Sequence, residues 1–221
     1  MADKPILFSG SMIRAILREI AAPGTGKTVT RRVLKPQPQG VSAARRVRDE
    51  CYHITPESNR CTVDFKAPNY APGDRLWVRE AISYDRLDVD RDGILPPWYW
   101  ADGNPDAGDW TRPKPSIHMP RWASRLTLHV TDVRVQRLQE ISEADARAEG
   151  IEPREIRPVH DSDQPAETWW FGTENGRASA KSAFRDLWDS LNAERAPWVS
   201  NPWVVAVTFR PELGNIDRVA A

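Results

Sequence analysis

The chain has 221 residues, 31 Lys+Arg against 31 Asp+Glu, a formal net charge of zero, and two cysteines. That length suits one domain with insertions, or a domain with a small lobe. No run of about eighteen apolar residues occurs, the N-terminus has no signal-peptide pattern, and two cysteines make no disulfide framework, so nothing in the sequence addresses a membrane or secretion and a cytoplasmic protein with reduced thiols is expected. The charge is uneven: residues 1–48 hold ten Lys/Arg against Asp3 and Glu19, whereas residues 85–109 hold seven aspartates against Arg86 and Arg91. The basic end could meet a phosphate backbone that the acidic stretch would repel; solvated surface charge is the plain alternative.

Lys4 to Phe8 reads as a first strand. Ser9-Gly10-Ser11 then starts a helix over about 11–20, with Met12, Ile13, Ile16, Leu17 and Ile20 at helical spacing. The next residues, Ala21 to Thr28, differ from a phosphate-binding G-x-x-x-x-G-K-[ST] loop only in having Ala21 for the first glycine. Such a loop needs a strand before it and a long helix after it, and here the order is inverted. Thr28, Val29, Thr30 and Val33 are β-branched, Pro36 and Pro38 stop any helix, and a strand over about 28–34 is expected instead.

Residues 36–70 carry prolines and no clean period, and read as an insertion holding a hairpin around Tyr52–Phe65. Cys51, His53, Cys61 and Asp64 fall short of a zinc ligand set, and no metal is assigned. Pro72-Gly73-Asp74 turns the chain into a central strand, Arg75 to Glu80. A second insertion, about 84–116, is rich in proline, glycine and aspartate and suits a lid or flap.

Leu126 to Leu138 alternates apolar residues at 126, 128 and 130, then shifts parity to 133 and 135, which predicts a bulge near Thr131-Asp132. Ser142 with Asp145 resembles a capping box and Gly150 supplies a stop, so a short helix spans 143–149. Glu149 then faces the negative pole of its own helix, an unfavourable place that hints at another role. After a third irregular stretch at 154–176, an amphipathic helix runs from Ala180 to Leu191, and Trp203, Val205, Val207 and Phe209 line a last strand. Residues 213–221 read as a loose tail. Six of the ten tryptophans (Trp98, Trp100, Trp110, Trp169, Trp170, Trp198) fall in irregular stretches, where they could stack on bases or pin loops to the body. The expected fold is α+β, a mixed β-barrel with about three flanking helices and long irregular insertions.

Four segments together resemble the ASCH-domain proteins, above all the larger phage and prophage type: Gly26-Lys27-Thr28-x-Thr30-Arg31-Arg32, Pro72 to Glu80, Ile141 to Glu149-Gly150, and Asn201-Pro202-Trp203. The likeness covers about 1–35, 70–82, 115–151 and 180–210. It implies a PUA-like barrel in one domain, 1–212, that recognises a modified nucleoside or RNA. Some small members remove the acetyl group of N4-acetylcytidine with a lysine, a threonine and a glutamate, which carry over to Lys27, Thr30 and Glu149. Arg31, Arg32, Trp77, Arg79 and Glu80 are the expected substrate-binding residues. No cofactor and no membrane partner are implied. A non-catalytic RNA-binding module, a ribonuclease and a phage assembly protein remain open as alternatives.

Overall fold

The computed structural model describes residues 2–38, 41–48, 51–56, 63–66, 70–85, 89–90, 93–94, 97–157 and 165–219. The parity change read at Thr131 organises it. The strand Leu126–Arg137 pairs along its whole length with Trp203–Leu213, and the register shifts between Val130 and Asp132. With one residue extra there, Leu126, Leu128, Val130, Val133 and Val135 all face the same core although their spacing changes.

Five strands, numbered in chain order, form the central sheet: β1 (Asp3–Leu7), β2 (Val29–Val33), β3 (Arg75–Arg79), β4 (Leu126–Arg137) and β5 (Trp203–Leu213). Their spatial order is β1-β3-β4-β5-β2. β1 and β3 are parallel, and the other neighbours are antiparallel. The architecture is thus α+β, a mixed sheet with three α-helices. Among the described residues no strand ladder joins the edges β1 and β2.

Helix α1 (Gly10–Ala21) lays Ile13 and Ile16, both fully buried, against one face of the sheet. Burying each such side chain contributes roughly 1.5–3 kcal/mol. The helix ends where Ala22 N–H bonds back to the Arg18 carbonyl, just before Pro23. Side chains alternate across a strand, so Val204 faces away from Trp203 and Val205. On that second face pack α2 (Glu143–Ala148) and α3 (Ala180–Asn192), through Ala146, Ala183, Phe184 and Trp188. Both are capped by a serine: Ser142, read from the sequence, accepts from Asp145 N–H, and Ser179 accepts from Ser182 N–H. The Glu143 carboxylate adds two bonds, from Ala180 and Lys181 N–H, that tie α2 to the start of α3.

The insertions hold more order than their composition suggests. Strands Val41–Arg48, Cys51–Pro56 and Val63–Lys66 form a three-stranded antiparallel sheet. Cys61, part of the weighed zinc set, lies outside the described residues. The stretch 84–116 contributes Ala101 to the main core; the Trp98 indole donates to Gly103 O within the segment, and the Trp100 indole donates to Ser83 Oγ, tying the segment to the body. The stretch 154–176, expected to be irregular, contains most of an antiparallel sheet of Glu152–Ile156, Glu167–Phe171 and Gly176–Arg177. The segment after Leu213, expected to be loose, is anchored: Ile216 is fully buried, and the Asn215 amide donates to the carbonyls of Arg121, Trp122 and Ser124. No helix among the described residues is long and apolar enough to cross a membrane.

Candidate functional site

Residues 26–28 run between α1 and the end of α2. Lys27 N–H bonds to the Ala15 carbonyl, Thr28 N–H bonds to the Ala148 carbonyl, and Lys27 and Glu149 form an isolated antiparallel bridge. Two glycines permit this threading. A Cβ on Gly26 would lie 2.2 Å from the Ala15 carbonyl oxygen. Gly150 has φ +93°, and a Cβ there would lie 2.7 Å from Ala15 Cβ. The turn is not a phosphate cradle: the Glu19 carboxylate already accepts from the N–H groups of Gly24 and Gly26. A carboxylate in that position would repel the phosphate that the loop pattern promises.

Lys27 is fully buried, and its Nζ donates to Glu149 Oε2 at 2.6 Å and to the Glu149 carbonyl at 2.9 Å. The other carboxylate oxygen, Oε1, accepts from Arg31 at 3.0 Å. Arg31 passes its second amino group to Asp145 at 2.9 Å, and Arg134 reaches the same aspartate at 3.1 Å. Glu149 sits at the C-cap of α2, where its own helix disfavours it. The two cations explain its place. Burial pushes the Lys27 pKa down, the Glu149 carboxylate pulls it up, and Arg32 and Arg31 add to the downward push; the net direction is downward. Burial alone would raise the Asp145 pKa, but Arg134 and Arg31 outweigh it and hold the group below the ordinary aspartate value.

Two clefts meet at Glu149. The smaller, about 230 Å3, is lined by Ser9, Thr30, Arg31, Arg32, Glu149 and the apolar face of α3 around Leu187 and Leu191. The larger, about 520 Å3, lies between α1 and the third insertion, with Arg14, Arg18, Arg154 and Phe171 in its walls. Met12, Glu149 and Leu187 border both. Lys27 lines neither cleft and lies behind Glu149.

Of the residues expected at the site, Lys27 and Arg31 both bond to Glu149, and Thr30 and Arg32 share the smaller cleft. Trp77, Arg79 and Glu80 border neither cleft. The Arg79 guanidinium lies 5.2 Å from the Trp77 ring centre and donates to the Ile117 carbonyl. Buried Glu80 takes a bidentate bond from Arg125 at 2.9 and 3.0 Å, and Arg125 in turn clasps Asp102. Burial raises the Glu80 pKa against the pull of Arg125. This second cluster ties β3 to the 100–102 turn, as an ion pair that steadies the fold would.

Sequence reasoning missed Asp145 and Arg134, which extend the ion-pair chain away from Glu149. Asp145 was legible only as a capping residue, and Arg134 carried no signal beyond its place on β4. Arrangements of this kind can hold a desolvated lysine behind a carboxylate, or fix guanidinium groups at the mouth of a cleft for an anionic or carbonyl-bearing ligand. Among the described residues no group of three or more His, Cys, Asp or Glu is placed to hold a metal ion. Comparison with family models, with curated proteins and with solved structures gives no match for this chain.

Proposed function

We propose that this chain is an ASCH-like domain directed at a modified nucleoside or RNA, and that it is an amidohydrolase acting on an N4-acylated cytosine nucleoside such as N4-acetylcytidine. The observation that carries the reading is the convergence of Lys27 and Arg31 on Glu149 where two clefts meet, with Thr30 in the wall of one of them. A PUA-like closure of the sheet is part of the same reading. Its support is the Arg32 side chain, which crosses from β2 to the carbonyl of Leu7 at the end of β1 and so draws the two edges together.

In this mechanism the Thr30 hydroxyl attacks the acyl carbonyl carbon, and its proton passes through the Glu149 carboxylate, which borders the same cleft, to the deprotonated form of the Lys27 amine behind it, a form that burial makes more accessible. A guanidinium lining the smaller cleft stabilises the oxyanion. The carbon–nitrogen bond then breaks, and the proton returns to the leaving exocyclic amine. Water hydrolyses the Thr30 ester in a second cycle, releasing the acid and restoring the hydroxyl. Glu149 positions Lys27 and sets its charge balance.

The test is incubation of the purified protein with N4-acetylcytidine, with cytidine and acetate followed by chromatography. Turnover is expected for the wild type and none for Lys27→Met. This variant removes the amine at similar volume and leaves Glu149 paired with Arg31. Absence of turnover in the wild type refutes the hydrolase. A second reading, a non-catalytic binder of nucleotides or RNA, is favoured by Arg32, which lines the cleft and has no carboxylate partner among the described residues.

A further inference from the structure

Five charged side chains alternate in sign from the surface to the interior. Arg134, with a half-exposed side chain, gives an amino group to Asp145 Oδ1 at 3.1 Å, and Asp145 Oδ2 accepts from Arg31 at 2.9 Å. Arg31 gives its other amino group to Glu149 Oε1 at 3.0 Å, and Lys27 holds Oε2 at 2.6 Å. Arg134 also lies 3.6 Å from Asp132, so the surface end of the chain is tied twice. At the inner end, the side chains of Arg31 and Lys27 are fully out of water. Neither Asp145 nor Arg134 lines either cleft, so any part they play in the site runs through Arg31.

A guanidinium beside a single carboxylate commonly gives it two parallel N–H bonds. Arg31 instead directs one amino group to Glu149 and one to Asp145, while its Nε has no hydrogen-bond partner. Asp145 therefore holds the fork end-on to Glu149, and Glu149 keeps its second oxygen for Lys27. Without that hold, a bidentate Arg31 would take lone pairs on Oε2 and crowd the ammonium. Charge acts in the same direction. Burial works against an ionised Asp145, but Arg134 and Arg31 outweigh it, so the aspartate stays charged and offsets Arg31. The other charged groups around Lys27 are Arg32 on β2 and two residues of α1: Arg18, which bonds to the carbonyls of Thr25 and Gly150, and Glu19, which accepts from Gly24 and Gly26 N–H. Helix α3 presents the Phe184 ring to Arg31 rather than a charge.

We propose that Asp145 is a positioning residue of this site: it turns the Arg31 fork so that one amino group alone reaches Glu149, which reserves Glu149 Oε2 for Lys27, and Arg134 secures Asp145 from the surface side. Its effect on turnover rests on the proposed deacylation, in which the Thr30 proton reaches Lys27 through that carboxylate. The hold of Glu149 on Lys27 is independent of that chemistry, and the two ends of the chain affect it in opposite directions. Neutralising Asp145 leaves Arg31 uncompensated and free to turn onto Glu149, so Lys27 loses its counter-charge and gives up its proton at lower pH. Neutralising Arg134 leaves Asp145 wholly to Arg31, which releases more of Glu149 to Lys27 and raises that pH. A chain of ion pairs that only braces the fold would show no such reversal of sign.

The experiment is a pH titration of the Lys27 side-chain signals by NMR in the full chain, in wild type, Asp145→Asn and Arg134→Gln. Lys27→Met assigns the signals, and thermal melting shows that each variant folds. The Lys27 midpoint is expected to fall by roughly one pH unit in Asp145→Asn and to rise, by less, in Arg134→Gln. In parallel, deacylation of N4-acetylcytidine is followed against pH. Asp145→Asn should lower kcat about tenfold or more with KM changed less than about threefold, because a misplaced proton carrier slows the step without touching bound substrate. Its rate profile should move to lower pH together with the Lys27 midpoint. A midpoint that stays put in both variants, or moves the same way in both, overturns the proposal whatever the turnover. Should Asp145→Asn not fold, Arg134→Gln decides alone, and an unchanged or lowered midpoint there overturns it. Opposite shifts in a protein that leaves N4-acetylcytidine intact would remove the hydrolase and leave the positioning of Lys27 standing; wild-type turnover with unmoved midpoints would do the reverse.

Discussion

Glu149→Gln is the sharpest probe of the buried cluster. The wild-type carboxylate accepts from Lys27 on one oxygen and from Arg31 on the other, at 2.6 and 3.0 Å. Glutamine keeps the shape, but its single amide oxygen can serve one cation, and its NH2 then meets the donors of the other. Lys27 retains the Glu149 backbone carbonyl and Arg31 retains Asp145, so the loss is that of a shared counter-charge. Removing one partner from a buried pair costs about 3–5 kcal/mol. For a domain of 150–250 residues each kcal/mol shifts the melting temperature by about 2–4 °C, which gives a predicted drop of roughly 6–20 °C. The assay is calorimetry beside a urea titration, with Glu152→Gln as the control. Glu152 is a half-exposed carboxylate whose ion-pair partner among the described residues is exposed Arg154, and its loss should stay within about 0.5 kcal/mol. If Glu149→Gln melts as the control does, the cluster does not hold a strong buried pair and the electrostatic reasoning fails.

Three further outcomes follow from the same geometry. Lys27 has a folded-state pKa below its ordinary 10.5, so the unfolded chain binds more protons in the interval between the two values; stability from this group should rise with pH there, and Lys27→Met should flatten that slope in denaturant titrations. Burial would raise the Asp74 pKa, but Lys4 and the N–H groups of Ala71 and Ala2 hold it below the ordinary 3.8. Asp74→Asn should therefore cost about 1–3 kcal/mol at neutral pH, and the gap to wild type should close as acid takes the pH below 3.8 toward the folded-state value. Gly150→Ala must hold φ +93° and place a methyl 2.7 Å from Ala15 Cβ, so a loss of about 1–3 kcal/mol by thermal melting is expected, along with disturbed packing behind Lys27.

The elements that bury a regular face were legible. The 3.6-residue spacing of Ile13 and Ile16 sets the face that α1 buries, and the parity change around Thr131 locates the register shift of β4. Of the site, the awkward placement of Glu149 at a helix end was the useful signal, because an unfavourable dipole interaction asks for a partner elsewhere. That partner set was only half visible. The pairing of Glu149 with Lys27 and Arg31 depends on two glycines that let residues 26–28 pass beside α1 and α2, and such long-range threading leaves no periodic trace. Glu80 shows the converse: a strand-end carboxylate near Arg79 in sequence is bound by Arg125, 45 positions away. The order at 152–177 was hidden because Thr168, Trp169 and Trp170 lie among glycine, proline and acidic residues that read as a loop, and it was set by cross-strand pairing rather than by alternation.

The measurement that bears most directly on the central claim compares wild type with Thr30→Val on N4-acetylcytidine. Valine keeps the β-branched shape at this buried position, which is 2% exposed, and removes only the hydroxyl. Turnover by wild type, its disappearance in Thr30→Val, and melting temperatures that agree within a few degrees are the predicted result. A wild type that leaves the substrate intact, or a Thr30→Val protein that deacylates it at the wild-type rate, would contradict the assignment.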